Sequence, residues 1–168
     1  LYIDPLKDWK ITRSFGGGFE DITYIPHLQK YIGTSPARDE LMQTWSSSIQ
    51  GPLVTDHPLI VRPRGVVFVE ELDAVFVTCL QRQLMGNNST TNIGITKIHL
   101  NSDVDASLST LDIASFIPSI PSDQVATAPG PLAYVAKFAT LFTTAGVGSG
   151  ELWRINAYTR EMSRVVVV

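Results

Sequence analysis

This sequence of 168 residues is short of charge, almost without cysteine, and lacks the residue clusters that announce a cofactor or a catalytic machine. Charged residues make up 17% of it, below the usual quarter, which suits a surface that is partly covered by something. The balance of 13 basic against 16 acidic side chains gives a net charge of −3. That argues against a dedicated nucleic-acid module, whose affinity comes mainly from neutralising phosphates, and leaves room for a limited basic face. A lone cysteine, Cys79, excludes an internal disulfide. Its setting, VFVTCLQ, reads as a buried core thiol, because a nucleophile needs exposure beside a base or a helix N-terminus. The longest apolar run, Leu132 to Val147, is broken by Lys137 and falls short of the roughly 20 residues of a membrane helix, so no membrane partner is expected. No signal peptide or basic arm is visible at the start. The chain opens on Leu1, so the expectation is a single β-rich domain over 1–168 that belongs to a longer precursor or lacks a flanking segment.

Other signatures are missing too. The three histidines, His27, His57 and His99, are far apart and form no H-E-x-x-H pair. No G-x-S-x-G elbow occurs. The stretch SFGGGFED has glycines but not the spacing of a phosphate loop, and Glu20 and Asp21 behind it would repel an anion. It reads as a turn between strands. AGVGSGE fails similarly.

What is present is β-forming. Ser and Thr carry the polar load, and Gly and Pro punctuate the chain. Asp8–Phe15 and Phe19–Ile25 read as strands. Ser35 (N-cap), Pro36, Asp39 and Glu40, followed by Leu41, Met42, Trp45 and Ile49 on one stripe, predict a helix that Gly51–Pro52 ends. Leu59–Arg62 reads as a short strand. GVVFV and AVFVTCLQRQL flank Glu70–Asp73, a plausible hairpin connection. The unbroken apolar run Val66–Val69 suggests a strand covered on both faces. MGNNSTTN reads as an exposed loop before the strand Ile93–Leu100, and it carries overlapping glycosylation acceptors at Asn87 and Asn88 that matter only in a secreted chain. A short helix is placed near Leu108–Ser115 and a second helix from Pro131 through Thr143. ELWRINAYTREMSRVVVV reads as one long final strand. No internal repeat is apparent. The fold class is therefore mainly β with helical insertions, a jelly-roll-like β-sandwich, with a two-layer α+β domain as the alternative.

Three groups of residues are candidate sites. Asn101–Asp112 places oxygen-bearing side chains at calcium-loop spacing, so Asn101, Asp103, Asp105 and Asp112 are candidate calcium ligands. Against this, Ala106 stands where a sharp turn asks for Gly, and an Asx-rich turn is the plainer reading. On the final strand, alternation puts Trp153, Ile155, Ala157 and Thr159 on a core face. It puts Arg154, Arg160 and Arg164 on the other, a candidate nucleic-acid or anion contact whose plainer reading is solvent or ion pairing. Val165, Val166, Val167 and Val168 would point to both faces of a strand, so both must be covered, which makes them a candidate assembly interface. For an enzyme assembled only in three dimensions, His57, His99, Asp103 and Asp105 would be the groups to look for.

Thr143, Thr144, Ala145, Gly146, Gly148, Gly150, Leu152, Trp153 and Tyr158 form a Thr/Ala/Gly loop leading into an alternating aromatic strand. This stretch resembles the close of single-jelly-roll coat proteins of small icosahedral RNA viruses. The resemblance implies a capsid subunit in the virion, self-assembling with copies of itself or sister subunits. The alternatives are a glycan- or protein-binding β-sandwich module and, behind it, a hydrolytic enzyme.

Overall fold

The stretches ITYIPHLQKYIGT (22–34), VVFVEELDAVFVT (66–78) and LAYVAKFATLFTT (132–144) have little identity, yet they fold alike. Each is a strand, one 3-10 turn and a second strand. Between turn and second strand stands one residue in the left-handed region, Gln29, Asp73 or Ala139, at φ 51°, 43° and 49°. Its N–H donates to the carbonyl three residues back, at Pro26, Glu70 and Ala136. The chain therefore contains a repeated unit that the sequence reading missed. The units begin at 22, 66 and 132, so the spacing is uneven, and what recurs is backbone conformation and alternation, not residue identity.

The computed structural model describes residues 2–3, 11–13, 19–45, 48–85, 88–100, 111–121, 128–147 and 150–165. A short pair, β1 (Tyr2–Ile3) and β2 (Ile11–Arg13), comes first. Each repeated unit then heads a four-stranded antiparallel sheet. The first holds β3 (Ile22–Ile25), β4 (Lys30–Ser35), β5 (Glu40–Trp45) and β6 (Ser48–Val54). The second holds β7 (Val66–Val69), β8 (Ala74–Met85), β9 (Asn88–His99) and β10 (Asp112–Ile117). The third holds β11 (Leu132–Val135), β12 (Thr140–Thr144), β13 (Leu152–Asn156) and β14 (Met162–Val165).

The expected class, mainly β and built from face-packed antiparallel sheets, is what the chain adopts, with three-residue 3-10 turns in place of the longer helical insertions expected. Its connections are simpler than those of a jelly roll, since each sheet is a meander of consecutive strands. β3 lies against β7 and β7 against β11, so the first strands line an inner edge and the sheets fan outward from it. Four-stranded meanders set radially in this way are the blades of propeller architecture.

Several expected elements are corrected. The described residues of Ser35–Ile49 form no helix. Pro36–Asp39 is a turn with Asp39 at φ 55°, and β5 follows. The helical stripe was real in sequence, but β4 and β6 pair with β5 on both sides, and those ladders override local propensity. Pro131–Thr143 is likewise β11, a 3-10 turn and β12. The segment around Leu108–Ser115 ends in β10; its earlier part, 101–110, lies outside the described residues. Leu59–Arg62 makes one bridge, Val61 to Leu80, and no strand. β9 begins at Asn88, so MGNNSTTN is mostly strand. The supposed final strand is a hairpin, β13 to β14. Its turn is held by Asn156, whose Oδ1 accepts the N–H of Tyr158 at 2.8 Å and of Thr159 at 2.9 Å.

The second sheet is the middle layer. On one face Val66, Val75, Val77, Cys79 and Ile98 meet Ile25, Ile32 and Leu41 of the first sheet. On the other, Val69, Phe76 and Ile95 meet Leu132, Leu141 and Ile155 of the third. Side chains also stitch the sheets together. Thr34 donates its hydroxyl to the Arg64 carbonyl at 2.7 Å, and Thr78, its counterpart, donates to the Gly130 carbonyl at 2.6 Å. Each threonine also accepts the N–H of the residue just before its own sheet's first strand, Asp21 at 3.1 Å or Gly65 at 2.8 Å. The Asp21 carboxylate reaches the Val66 N–H at 2.9 Å. At Gly65 the Leu132 backbone comes so close that a side chain would have no room.

Candidate functional site

The two ends of the fanned sheets differ chemically. At one end the first strands begin. Glu20, Asp21, Arg64, Gly65, Pro131, Leu132 and Val147 line an open cleft there. Its charged groups are already engaged. Arg64 pairs with Glu20, and Asp21 holds the N–H groups of Ile22 and Val66. They join sheets to one another and are not poised as acid and base.

The other end carries the 3-10 turns and the β13–β14 turn, brought side by side by the Ala157 N–H, which donates to the Ala139 carbonyl at 2.9 Å. Phe138 and Tyr158 are more than half exposed on these turns. Lys137 lies over the Phe138 ring, 5.6 Å from its centroid. Arg160 lies 5.4 Å from the centroid of Phe116. Below them, burial, then the Glu71 carboxylate and Tyr158, raise the Tyr134 phenol above its ordinary value. Burial, then Arg160, lowers the Lys97 ammonium, with Asp112 opposing them. Exposed aromatic rings and arginine are residue types enriched at protein-binding surfaces. The sequence reading missed Phe138, having assigned it to a helix, and placed Tyr158 on a strand face. Only alignment of the three units would have shown both at turns.

The sequence-derived candidates are dispersed. Of the calcium residues only Asp112 is described, exposed at the start of β10; Asn101, Asp103 and Asp105 lie outside the described residues. Among the described residues no cluster of His, Cys, Asp and Glu could hold a metal ion. The three arginines do not share a face. Arg154 donates to Ser163 at 2.5 Å. Arg164 sits across from Trp153 on the opposite side of the sheet, 3.2 Å from the buried Glu151 carboxylate. Arg160 is in the turn, at φ 66°. Alternation failed because the strand turns back at residue 157. Val165 is half-buried at the end of β14 and pairs with Leu152; Val166, Val167 and Val168 lie outside the described residues. His57, on the connection between the first two sheets, accepts the Leu59 N–H at 3.2 Å through Nδ1, and burial lowers its pKa. His99 ends β9 at the far end of the second sheet, so the two do not meet.

Cys79 is the buried thiol expected. It donates to the Leu59 carbonyl at 2.9 Å, and burial pushes its pKa up to about 12. Around it Thr96 donates to the same carbonyl at 2.5 Å, and the Gln81 amide donates to Thr96 at 3.1 Å. Ser115 donates to Gln81 Oε1 at 2.8 Å. This network is saturated from within. Among the described residues no helix is long and apolar enough to cross a membrane.

No family model and no curated protein sequence matches the chain. Its fold is similar to that of a chain in the crystal structure of a nidogen/laminin complex, at TM-score 0.57 and 15% identity. The likeness covers 87% of this chain and 47% of that one, so this chain spans less than half the length of the structure it matches.

Proposed function

We propose that this chain is a protein-binding β module that engages its partner through the 3-10-turn end of the sheets. The observation that carries the reading is the pair of exposed rings, Phe138 and Tyr158, held by the hydrogen-bonded turns Ala136–Ala139 and Asn156–Arg160. Turns fixed in this way present rings at little entropic cost on binding. The structural neighbour comes from a protein–protein complex, which agrees in kind. The cleft at the opposite end has its charged groups tied up in ion pairs and backbone contacts, which favours binding over catalysis. The test places a photo-crosslinking residue at Phe138 in the intact protein under native conditions. A defined protein adduct that falls about tenfold on Tyr158→Ala supports the reading, since truncating a central anchor costs more than about 1 kcal/mol. An adduct indifferent to Tyr158, or none, overturns it. Binding to a glycan array with the same Tyr158 dependence would replace the protein partner by a sugar.

The sharper reading, a capsid subunit in a virion, has one observation in its favour. β14 is the outer edge of the third sheet and leads into the valine run. Negative-stain microscopy of native material tests it. Closed shells support a coat protein, and discrete small particles at every concentration remove that reading.

A further inference from the structure

The seam between the second and third sheets holds two cations at its turn end. Lys97 stands on β9 across from Phe76 and Ala114, so it shares the face that meets the third sheet. Its ammonium lies 5.7 Å from the centroid of the Phe76 ring. Arg160 comes from the other side, out of the β13–β14 turn, and its guanidinium lies over the Phe116 ring of β10. Phe76 and Phe116 are buried and meet edge to face, with centroids 4.9 Å apart. This pair of rings sets where the two stems run, one from each sheet. Ring faces attract a cation but do not neutralise it. Among the described residues neither Lys97 nor Arg160 forms an ion pair. Burial and then the Arg160 charge disfavour the Lys97 ammonium, and Asp112, exposed on the same face, offsets them only in part. Like charges held near one another in a half-buried seam cost free energy, and an anion between them removes that cost.

We infer that Lys97 and Arg160 form an anion site that receives a carboxylate from an acidic segment of the protein partner. This rests on the turn end being a docking surface, and it gives the partner a chemistry. Tyr158, two residues before Arg160 in the same turn, is 53% exposed, so the ring and the cation are presented together. The border of the site selects the kind of anion. Glu71 acts on Tyr134 from the second sheet, and Asp112 acts on Lys97. Both repel a phosphate dianion more strongly than a single carboxylate. The guanidinium fork accepts a carboxylate through two parallel hydrogen bonds, while the ammonium adds a point charge beside it. Mixed charge around the site also fixes the register of the partner, because an acidic residue is accepted at Lys97 and Arg160 and rejected opposite Glu71 or Asp112.

The test is fluorescence anisotropy of rhodamine-labelled hexaglutamate with the intact chain, with labelled hexalysine as control and inorganic phosphate as competitor. Hexaglutamate should bind at least about tenfold more tightly than hexalysine. Lys97→Met and Arg160→Gln keep most of each stem on its ring and remove the charge. Each should weaken hexaglutamate about fivefold, the scale of one charge-assisted contact, with unchanged circular dichroism. Arg38→Met removes an exposed cation at the opposite end, on the β4–β5 connection, and leaves binding unchanged. Equal binding of the two peptides, affinity unmoved by both site substitutions, or an equal loss from Arg38→Met overturns the inference. So does displacement of the peptide by an equimolar amount of phosphate, which makes the ligand a free anion. The two proposals fail separately. A crosslink at Phe138 that depends on Tyr158 but not on Lys97 or Arg160 removes this inference and leaves the docking reading. No crosslink, with hexaglutamate still held through Lys97 and Arg160, removes the docking reading and leaves the anion site.

Discussion

At the scale of single residues, backbone conformation and burial make distinct demands that substitution can read. Ala139 sits at φ 49°, where an L side chain costs about 1–2 kcal/mol. Ala139→Gly should therefore raise stability by about 0.5–1 kcal/mol after the extra entropy of an unfolded glycine is subtracted, measured by urea denaturation. Gly65→Ala should do the reverse, losing about 1–3 kcal/mol to overpacking, because the new methyl meets the Leu132 backbone. Cys79 links stability to pH. Its thiol ionises near 9.0 when free and near 12 when folded. Between those values the unfolded chain has lost a proton that the folded chain keeps. The stabilisation is thus complete below pH 9 and is lost as pH rises toward 12, with a slope approaching about 1.4 kcal/mol per pH unit. Denaturation of wild type and Cys79→Ala at pH 8 and pH 10 checks this: the variant should be the less stable at pH 8 and the less pH-sensitive of the two. The buried thiol was legible in sequence because its neighbours are apolar on both sides. The exposed rings were not, since nothing local separates an aromatic on a turn from one in a core.

At the scale of elements, the sheets hold together through positions that the sequence presents as ordinary threonines. Thr78→Val removes a donor and an acceptor together and strands the Gly65 N–H and the Gly130 carbonyl in a buried seam. The expected loss is about 2–6 kcal/mol, at roughly 1–3 kcal/mol for each buried group left unsatisfied, seen as a lowered denaturation midpoint with an unchanged slope. Strand content was legible from Val, Ile, Phe and Thr alternation, and Glu70–Asp73 was read correctly as a hairpin connection. The helices assigned to Ser35–Ile49 and Pro131–Thr143 were not there. Ala, Lys, Leu and an N-cap serine carry genuine helical preference, but it is worth tenths of a kcal/mol per residue. β5 has ladders on both sides and β12 lies between β11 and β13, and those pairings outweigh it.

At the scale of the molecule, the middle sheet is covered on both faces and the outer two on one face each by their neighbours in the chain. Hydrogen exchange should follow that order, with β8 and β9 slowest and β6 and β14, the outer edge strands, fastest, because local opening tracks buried contact. The sequence alone determined the class: its composition and alternation call for antiparallel β structure, and its single apolar-flanked cysteine for a buried thiol. It also marked the hairpin at Glu70–Asp73, since a charged tip between two apolar strands has one economical solution. The tertiary structure decided everything that depends on which strands meet. It turned two helical stripes into strands, split one final strand into a hairpin and so parted Arg154 from Arg164. It aligned three dissimilar stretches into one repeated unit. The physical reason is that side-chain periodicity is a local property, whereas ladder hydrogen bonds and sheet-to-sheet burial join residues tens of positions apart and together exceed any local preference.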